Sequence, residues 1–365
     1  MQRRQILQSG AAGLAMAWLG QLQPSLAHNK QSQMRIPNPD RIYLGTTFSP
    51  LQCYYMGLDF RRAFAAIAGL GLDRIRLGAY WNVIEPQRGQ YDFSELDWLL
   101  DVCAAQGIEV AIAVGMKVPR WPEFHFPEWV SAVGDTGAGA MALDQRSPKV
   151  AELALGFVDR VVAHCKNAPA VKYWQIENEP FTRLEIAGGR FLSPGFVGRE
   201  IELVRSRMLP GQKILLTNAI HLPSPKLSED QPAFEDSLRL ADAVGINVYT
   251  KVPYGVPGQY LEPTMAFWQT LQDWQGAMAG ANREAWVAEA QAEPWENGAL
   301  VAVQRRNYPS ATPIRMRNLV RQLKAIQYGT ILLWGSEYWY WQRQQRNNEW
   351  WYEAKKLVAE IRKQA

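Results

Sequence analysis

The chain has 365 residues and sets 39 Lys and Arg against 35 Asp and Glu, a net charge of +4. That near balance, without a run of basic residues, argues against a nucleic-acid partner. Hydrophobic residues are 47% and charged residues 20%, a globular composition. With three Cys, four His, and neither CxxC nor HExxH, the sequence offers no zinc cluster, and no metal or cofactor is expected.

The first residues read as an address. Arg3 and Arg4 precede a modestly apolar stretch from Ile6 to Leu22, and Ser25-Leu26-Ala27 is a small-x-small cleavage site. The pattern looks like a twin-arginine export signal over residues 1–27, with a linker at 28–39 and the main domain at 40–365. A retained N-terminal anchor is the alternative. No later segment reaches about 18 apolar residues in a row, so no stable membrane span is expected after cleavage. The expected location is the periplasm or the outside of a bacterial cell, with the export machinery as a transient partner. Three Cys leave at least one unpaired, and Cys103 and Cys165 fall on apolar helix stripes, where packing explains them.

From Arg41 onward short apolar runs alternate with longer amphipathic ones. Strands are expected at Ile42–Phe48, Arg74–Tyr80, Ile108–Gly115, Val171–Ile176, Lys213–Asn218, Ala243–Tyr249, Ala285–Ala290 and Thr330–Gly335. A helix is expected at Leu58–Leu70. Ser94 is expected to cap another, with Leu96, Leu99, Leu100 and Cys103 on one face. Ser147-Pro148 starts a third, a Pro-started one runs over Pro313–Gln327, and the last spans Asn348–Lys363. The strands are near-continuous apolar runs, the mark of a parallel sheet covered on both faces. Eight such units in series predict an α/β fold, a single-domain (β/α)8 TIM barrel. The rival, an open doubly wound sheet, would want a glycine-rich phosphate turn after the first strand, and Gly45-Thr46-Thr47-Phe48 is not one.

In such a barrel the active site lies at the C-terminal strand ends. Trp81, Trp121, Trp295, Trp334, Trp339 and Trp341 all fall at or after those ends, six of the 15 Trp. Flat aromatic faces beside polar groups suit a sugar ring, so a carbohydrate cleft is expected there. Strand four runs out through Glu177-Asn178-Glu179-Pro180, and strand seven through Glu289 to Glu293-Pro294-Trp295. Those strands face each other across the barrel. Two Glu opposed in an aromatic cleft without metal ligands are the equipment for glycoside hydrolysis.

The segments WQIENEPF (Trp174–Phe181), WVAEAQAEPW (Trp286–Trp295) and LGAYWNVIEPQRGQYDF (Leu77–Phe93) resemble the clan A glycoside hydrolases, nearest to family 5 (cellulase-like) and family 42 (β-galactosidase-like) enzymes. The resemblance covers nearly all of residues 40–340. It implies that Glu179 is the general acid/base and Glu289 the nucleophile of a retaining double displacement. It implies that Asn178 binds the sugar 2-hydroxyl and the nucleophile, that Arg76 and Tyr249 hold the nucleophile, and that Trp334 floors the subsite of the reacting sugar. An oligo- or polysaccharide would be the substrate. The chain stops one helix after strand eight, unlike family 42 enzymes that continue into further domains.

Each assignment has a rival: Glu177 for Glu179, Glu293 for Glu289, and Arg74 for Arg76. His221, after strand five, is either a substrate contact or an ordinary loop histidine, and Glu85 is expected to brace its loop. The stretch Trp121–Arg146 shows no clear periodicity and suits a lid or a subsite wall. The function expected is that of an exported retaining glycosidase. The alternative is a carbohydrate-binding barrel without turnover.

Overall fold

Eight parallel strands close on themselves in the computed structural model, which describes residues 41–256, 258–296 and 308–363. They are β1 (Tyr43–Phe48), β2 (Arg74–Gly78), β3 (Glu109–Val114), β4 (Val171–Ile176), β5 (Lys213–Ala219), β6 (Ala243–Val248), β7 (Glu284–Gln291) and β8 (Thr330–Trp334). Each pairs with its neighbours in sequence, and β1 pairs with β8. Every strand begins within a residue of its expected start. Tyr80, Tyr249 and Gly335 lie just beyond strand ends, where the chain turns into the loops.

Among the described residues eight helices follow the strands on the outside: α1 (Phe60–Ala68), α2 (Ser94–Gln106), α3 (Pro148–Cys165), α4 (Pro194–Arg207), α5 (Leu227–Leu240), α6 (Met265–Gly280), α7 (Pro313–Ala325) and α8 (Glu349–Arg362). Their ends follow local chemistry. The side chains of Asp59, Ser193 and Thr312 accept amide N–H groups of the first turns of α1, α4 and α7, and Pro148 and Pro313 occupy first helical positions. Ser94 does not cap α2. It is the first helical residue, and the Asp92 carboxylate two residues earlier accepts its N–H instead. All three cysteines are free and buried, with Cys103 and Cys165 on the inward faces of α2 and α3.

The barrel interior is layered. Near the N-terminal end, Ala111, Tyr173, Leu215, Ala243, Trp286 and Leu332 form one apolar layer. Arg74 stacks there on Tyr43, Tyr173 and Trp286 and pairs with Glu109. Two residues on, Arg76 enters the next layer up, with Thr47 and Gln175. Period two on a strand thus sends both arginines inward but to different depths.

Strand β7 breaks that period. Val287 sits opposite both Ile246 and Ile331, but Asn247 then faces Glu289 and Leu333 faces Ala290. One extra residue has entered β7 between Val287 and Glu289. This bulge changes the parity of the strand, so that Trp286 and Glu289, three apart, both reach the lumen.

The loops at the C-terminal ends carry short helices, at Pro50–Tyr55, Trp81–Ile84, Glu128–Ser131, Leu143–Arg146 and Ser336–Gln344, and a small hairpin pairing Val252–Pro253 with Tyr260–Leu261. Trp121–Arg146 is thus not structureless. It packs on the barrel through Phe124, Val130 and Leu143. Residues 1–40, which hold the expected signal and linker, lie outside the described residues.

Candidate active site

Glu289 is delivered by the bulge into the upper layer. Arg76 Nη2 stands 2.6 Å from its Oε1, and Tyr249 donates its hydroxyl proton to Oε2 at 2.5 Å. Arg76 is itself fixed by Thr47 Oγ1 (2.9 Å) and Gln175 Oε1 (3.2 Å). Its charge has no exposure to solvent. Of the two strand-two arginines, the one nearer the mouth therefore holds this carboxylate, and Arg74 serves the opposite end of the barrel.

On β4 the chain leaves the sheet at Ile176, and both Glu177 and Glu179 take left-handed backbone, at φ 57° and 45°. Such conformations are costly for residues with a Cβ and collect where a site demands them. They send the two acids different ways. Glu177 accepts the amide N–H groups of Met116 and Lys117 and is fully buried. Glu179 accepts Asn247 Nδ2 at 2.8 Å, and its own N–H is held by Thr217 Oγ1 at 3.0 Å. Burial pushes the Glu179 carboxyl up to about 8. Glu123 and Glu289 add to the rise, and Lys117 opposes it. A proton is thus retained near neutrality, as a general acid needs.

One loop after β3 builds much of this environment. Lys117 is buried, donates to the Glu179 carbonyl oxygen at 2.9 Å, and lies 3.4 Å from Glu123 and 3.9 Å from the Glu179 carboxylate. Further along the same loop, Arg120 pairs with Glu293 and with Glu337, each at 3.0 Å. Arg120 and Glu123 also have positive φ. His125 braces the loop from beneath through the carbonyls of Val118 and Arg120, and burial lowers its pKa to about 4, so the ring is neutral.

A cleft of about 320 Å³ is lined among others by Tyr55, Arg120, Trp121, Glu293, Trp295 and Trp334, and it adjoins the groups that hold Glu289, with the Trp334 ring centre 5.8 Å from the Arg76 guanidinium. Trp121 is 76% exposed at the rim, and Trp295 packs on the Tyr249 ring at 4.5 Å. The Arg120 guanidinium covers one face of Trp334, 3.9 Å from the ring centre. A larger cavity of about 980 Å³ opens at the other end of the barrel, around Arg74, Tyr173 and Trp286. Its acids are tied to cations, Glu109 to Arg74, Glu284 to Lys213 and Asp242 to Arg205, and Glu284 and Asp242 are held below the ordinary carboxylate range despite their partial burial, whereas Glu179 is pushed up.

Several expected contacts fall elsewhere. Trp81 is not a cleft wall. Its indole is fully buried, stacked on Phe157 of α3 at 5.3 Å, and its Nε1 donates to Glu85, which also accepts the N–H of Gly89. Trp339 is likewise buried, donating to the Ala292 carbonyl. His221 is tied by Nδ1 to Asp230 of α5 at 2.6 Å, and no hydrogen bond joins it to Glu179 or Glu289 among the described residues. The Asn178 side-chain oxygen accepts from Thr217 Oγ1 (3.1 Å) and Gln175 Nε2 (3.3 Å), which fixes the amide and leaves its Nδ2 as the donor. Sequence reading missed Asn247, whose signal was a lone polar residue in the apolar run AVGINVY, and missed Lys117, Arg120 and Glu123, which no periodicity marks.

Similarity to known proteins follows the same lines. A family model described as beta-galactosidase, glycoside hydrolase family 42, matches residues 59–186. Beta-galactosidase BbgII of Bifidobacterium bifidum is 34% identical over 115 residues, which are 30% of this chain and 17% of that protein. Each of these matches covers about a third of this chain, and over that share the chain is similar to beta-galactosidases. The chain's match thus spans less than a fifth of that relative's length. Among solved structures, a beta-galactosidase from Halorubrum lacusprofundi superposes with a TM-score of 0.53 at 16% identity, covering 80% of this chain and 52% of that one. GH5_18 from Bifidobacterium longum, in complex with Manb1-4GlcNAc, does so with a TM-score of 0.59 at 12% identity, covering 88% and 79%. At such identities the likeness shown is that of the barrel fold alone.

Proposed function

We propose that the protein is a retaining glycosidase hydrolysing O-glycosidic bonds of an oligo- or polysaccharide. The observation that carries this reading is the opposed treatment of two carboxyls on facing strands. Glu289 lies between a buried guanidinium and a tyrosine hydroxyl, a setting for an anion. Glu179 is buried and keeps its proton to about 8. In the first step Glu289 attacks the anomeric carbon while Glu179 gives its proton to the departing oxygen. In the second, Glu179 takes a proton from water, which displaces Glu289 with restored configuration. Lys117 and Asn247 hold Glu179 in place, and Trp295 and Trp121 offer faces for sugar rings. The names of the relatives make β-galactosides the first substrates to try.

The test is the product anomer by NMR on the fastest aryl glycoside, with Glu179→Ala and Glu289→Ala. Retention is expected. Glu179→Ala should still release dinitrophenolate and be rescued by azide, whereas Glu289→Ala should be inactive on every leaving group. An inverted product, or azide rescue of Glu289→Ala instead, overturns the roles. Sugar binding without turnover on any substrate would make this a carbohydrate-binding barrel.

Export completes the reading: residues 1–27 act as a twin-arginine signal, 28–39 as a linker, and the barrel works in the periplasm or outside the cell. Replacing Arg3 and Arg4 by Lys should leave full-length precursor in the cytoplasm. Normal export of that variant would rule out the twin-arginine route.

A further inference from the structure

Three residues that line the cleft each carry a buried polar atom that no described residue satisfies: Glu293 Oε2, Trp334 Nε1 and Arg120 Nε. Their residues are 3%, 5% and 6% exposed. Buried polar atoms are nearly always paired, so unpaired ones lining a cleft mark where a ligand's groups go. The charges explain why Glu293 is the open one. Arg120 is a single cation between two carboxyls. Glu337 spends its second oxygen on the Ser49 N–H at 2.6 Å. Glu293 spends one oxygen on Arg120 and keeps the other. Behind it, Gly335 at φ 127° lets the chain pass against the Glu293 side chain, where a Cβ would collide. Arg120 also covers a face of Trp334, so what the indole offers at that contact is its N–H edge.

We infer that Glu293 and Trp334 bind hydroxyl groups of one neutral sugar, making Glu293 a specificity-determining residue. The inference rests on the carbohydrate reading of the site. A sugar hydroxyl donates its proton to Glu293 Oε2, and a hydroxyl oxygen accepts from Trp334 Nε1. Among the described residues lining the cleft Arg120 is the one cation, and it is already shared, so an acidic sugar meets the Glu293 charge there without an offset. Glu293 was the rival nucleophile in the sequence. Its pairing with Arg120, and the bulge that gives Glu289 the lumen, assign it to recognition.

The experiment pairs protein and sugar deletions. Galactose and its 2-, 3-, 4- and 6-deoxy forms are titrated by calorimetry into the mature protein and into Glu293→Ala. The corresponding 4-nitrophenyl galactosides supply kcat/KM. If another aryl glycoside is turned over faster, that sugar's series is used. Removing one particular hydroxyl should weaken wild type by about 10–100-fold, the worth of a hydrogen bond to a charged group, and should cost Glu293→Ala nothing further. A merely structural Glu293 would weaken all five sugars alike, and that result overturns the inference. Glu293→Gln keeps the side chain's shape and is read the same way if the alanine variant fails to fold. It should also bind galacturonic acid more tightly than wild type does, and an unchanged preference counts against the inference. Binding with this pattern but without turnover sinks the hydrolase reading and upholds this one. No binding of any sugar by wild type overturns this one.

Discussion

Arg76 Nη2 and Glu289 Oε1 stand 2.6 Å apart, with side chains 0% and 6% exposed. A pair this dry is strong only while both members are present, because either alone is an uncompensated buried charge. Arg76→Ala should therefore cost about 3–5 kcal/mol in stability, the usual penalty for breaking a buried pair. It should also abolish turnover at a pH where the protein is still folded. Arg76→Lys should recover part of the stability but not the Thr47 and Gln175 bonds. Urea melts and kcat at one pH, on the three proteins, check this.

The surroundings of Glu179 give a signed pair of pH effects. The groups facing it are Lys117, Glu123, Glu289 and Asn247. A general acid works while protonated, so kcat/KM should fall as pH rises through about 8. Lys117 lowers that pKa, so Lys117→Met should move the basic limb to higher pH. Glu123 raises it, so Glu123→Gln should move the limb lower. Shifts in the same direction in both variants would mean that this basic limb does not belong to Glu179.

A second buried acid pair predicts how stability varies with pH. Glu177 is pushed up to about 7 by burial, and Glu200 of α4, which faces it, is pushed well above its ordinary value by burial and by Glu177. A carboxyl whose folded pKa exceeds its unfolded value binds more protons when folded. Its stabilisation is fully present below about 4.5 and is lost as pH rises through about 7. Glu200→Gln removes one titration, so the fall in Tm between pH 5 and 8 should be shallower than in wild type. An equal slope in both proteins would refute the coupling.

Gly45 supplies a purely structural check. A Cβ at this β1 position would strike the Arg74 carbonyl oxygen and the Leu332 side chain. Gly45→Ala should cost about 1–3 kcal/mol, as overpacked cores do, with little change in the pH profile. Thermal melts beside kcat/KM at several pH values separate the two effects.

What the sequence made legible was whatever has a period or a motif. The apolar runs set all eight strands, because a strand buried on both faces has no other composition. The Asn-Glu-Pro turn separated Glu179 from Glu177, and the structure turns the two apart by left-handed backbone. Two kinds of feature were not legible. A bulge is invisible to a period-two count, so nothing in Val287-Ala288-Glu289 told that Glu289 would share the lumen with Trp286. Aromatic residues after a strand look alike whether they face ligand or core: Trp121 stands in solvent while Trp81 packs on Phe157. Loop charges such as Lys117 and Arg120 obey no spacing rule, since partners such as Glu179 and Glu293 lie in the loops after other strands.

The loop from Gly115 to His125 has a consequence for how such a protein can change. Within it Lys117 and Glu123 adjust, in opposite directions, the proton affinity that burial gives Glu179, while Arg120 and Trp121 shape the cleft. His125 and the Lys117–Phe124 bridge tie the two ends of that stretch together. A substitution that shifts this backbone moves both sets of groups at once. Variants selected for a new sugar by changes in this segment would inherit an altered pH optimum, whereas changes in the hairpin at Pro253 or in the Tyr55 rim could retune the choice of sugar and leave the chemistry where it was.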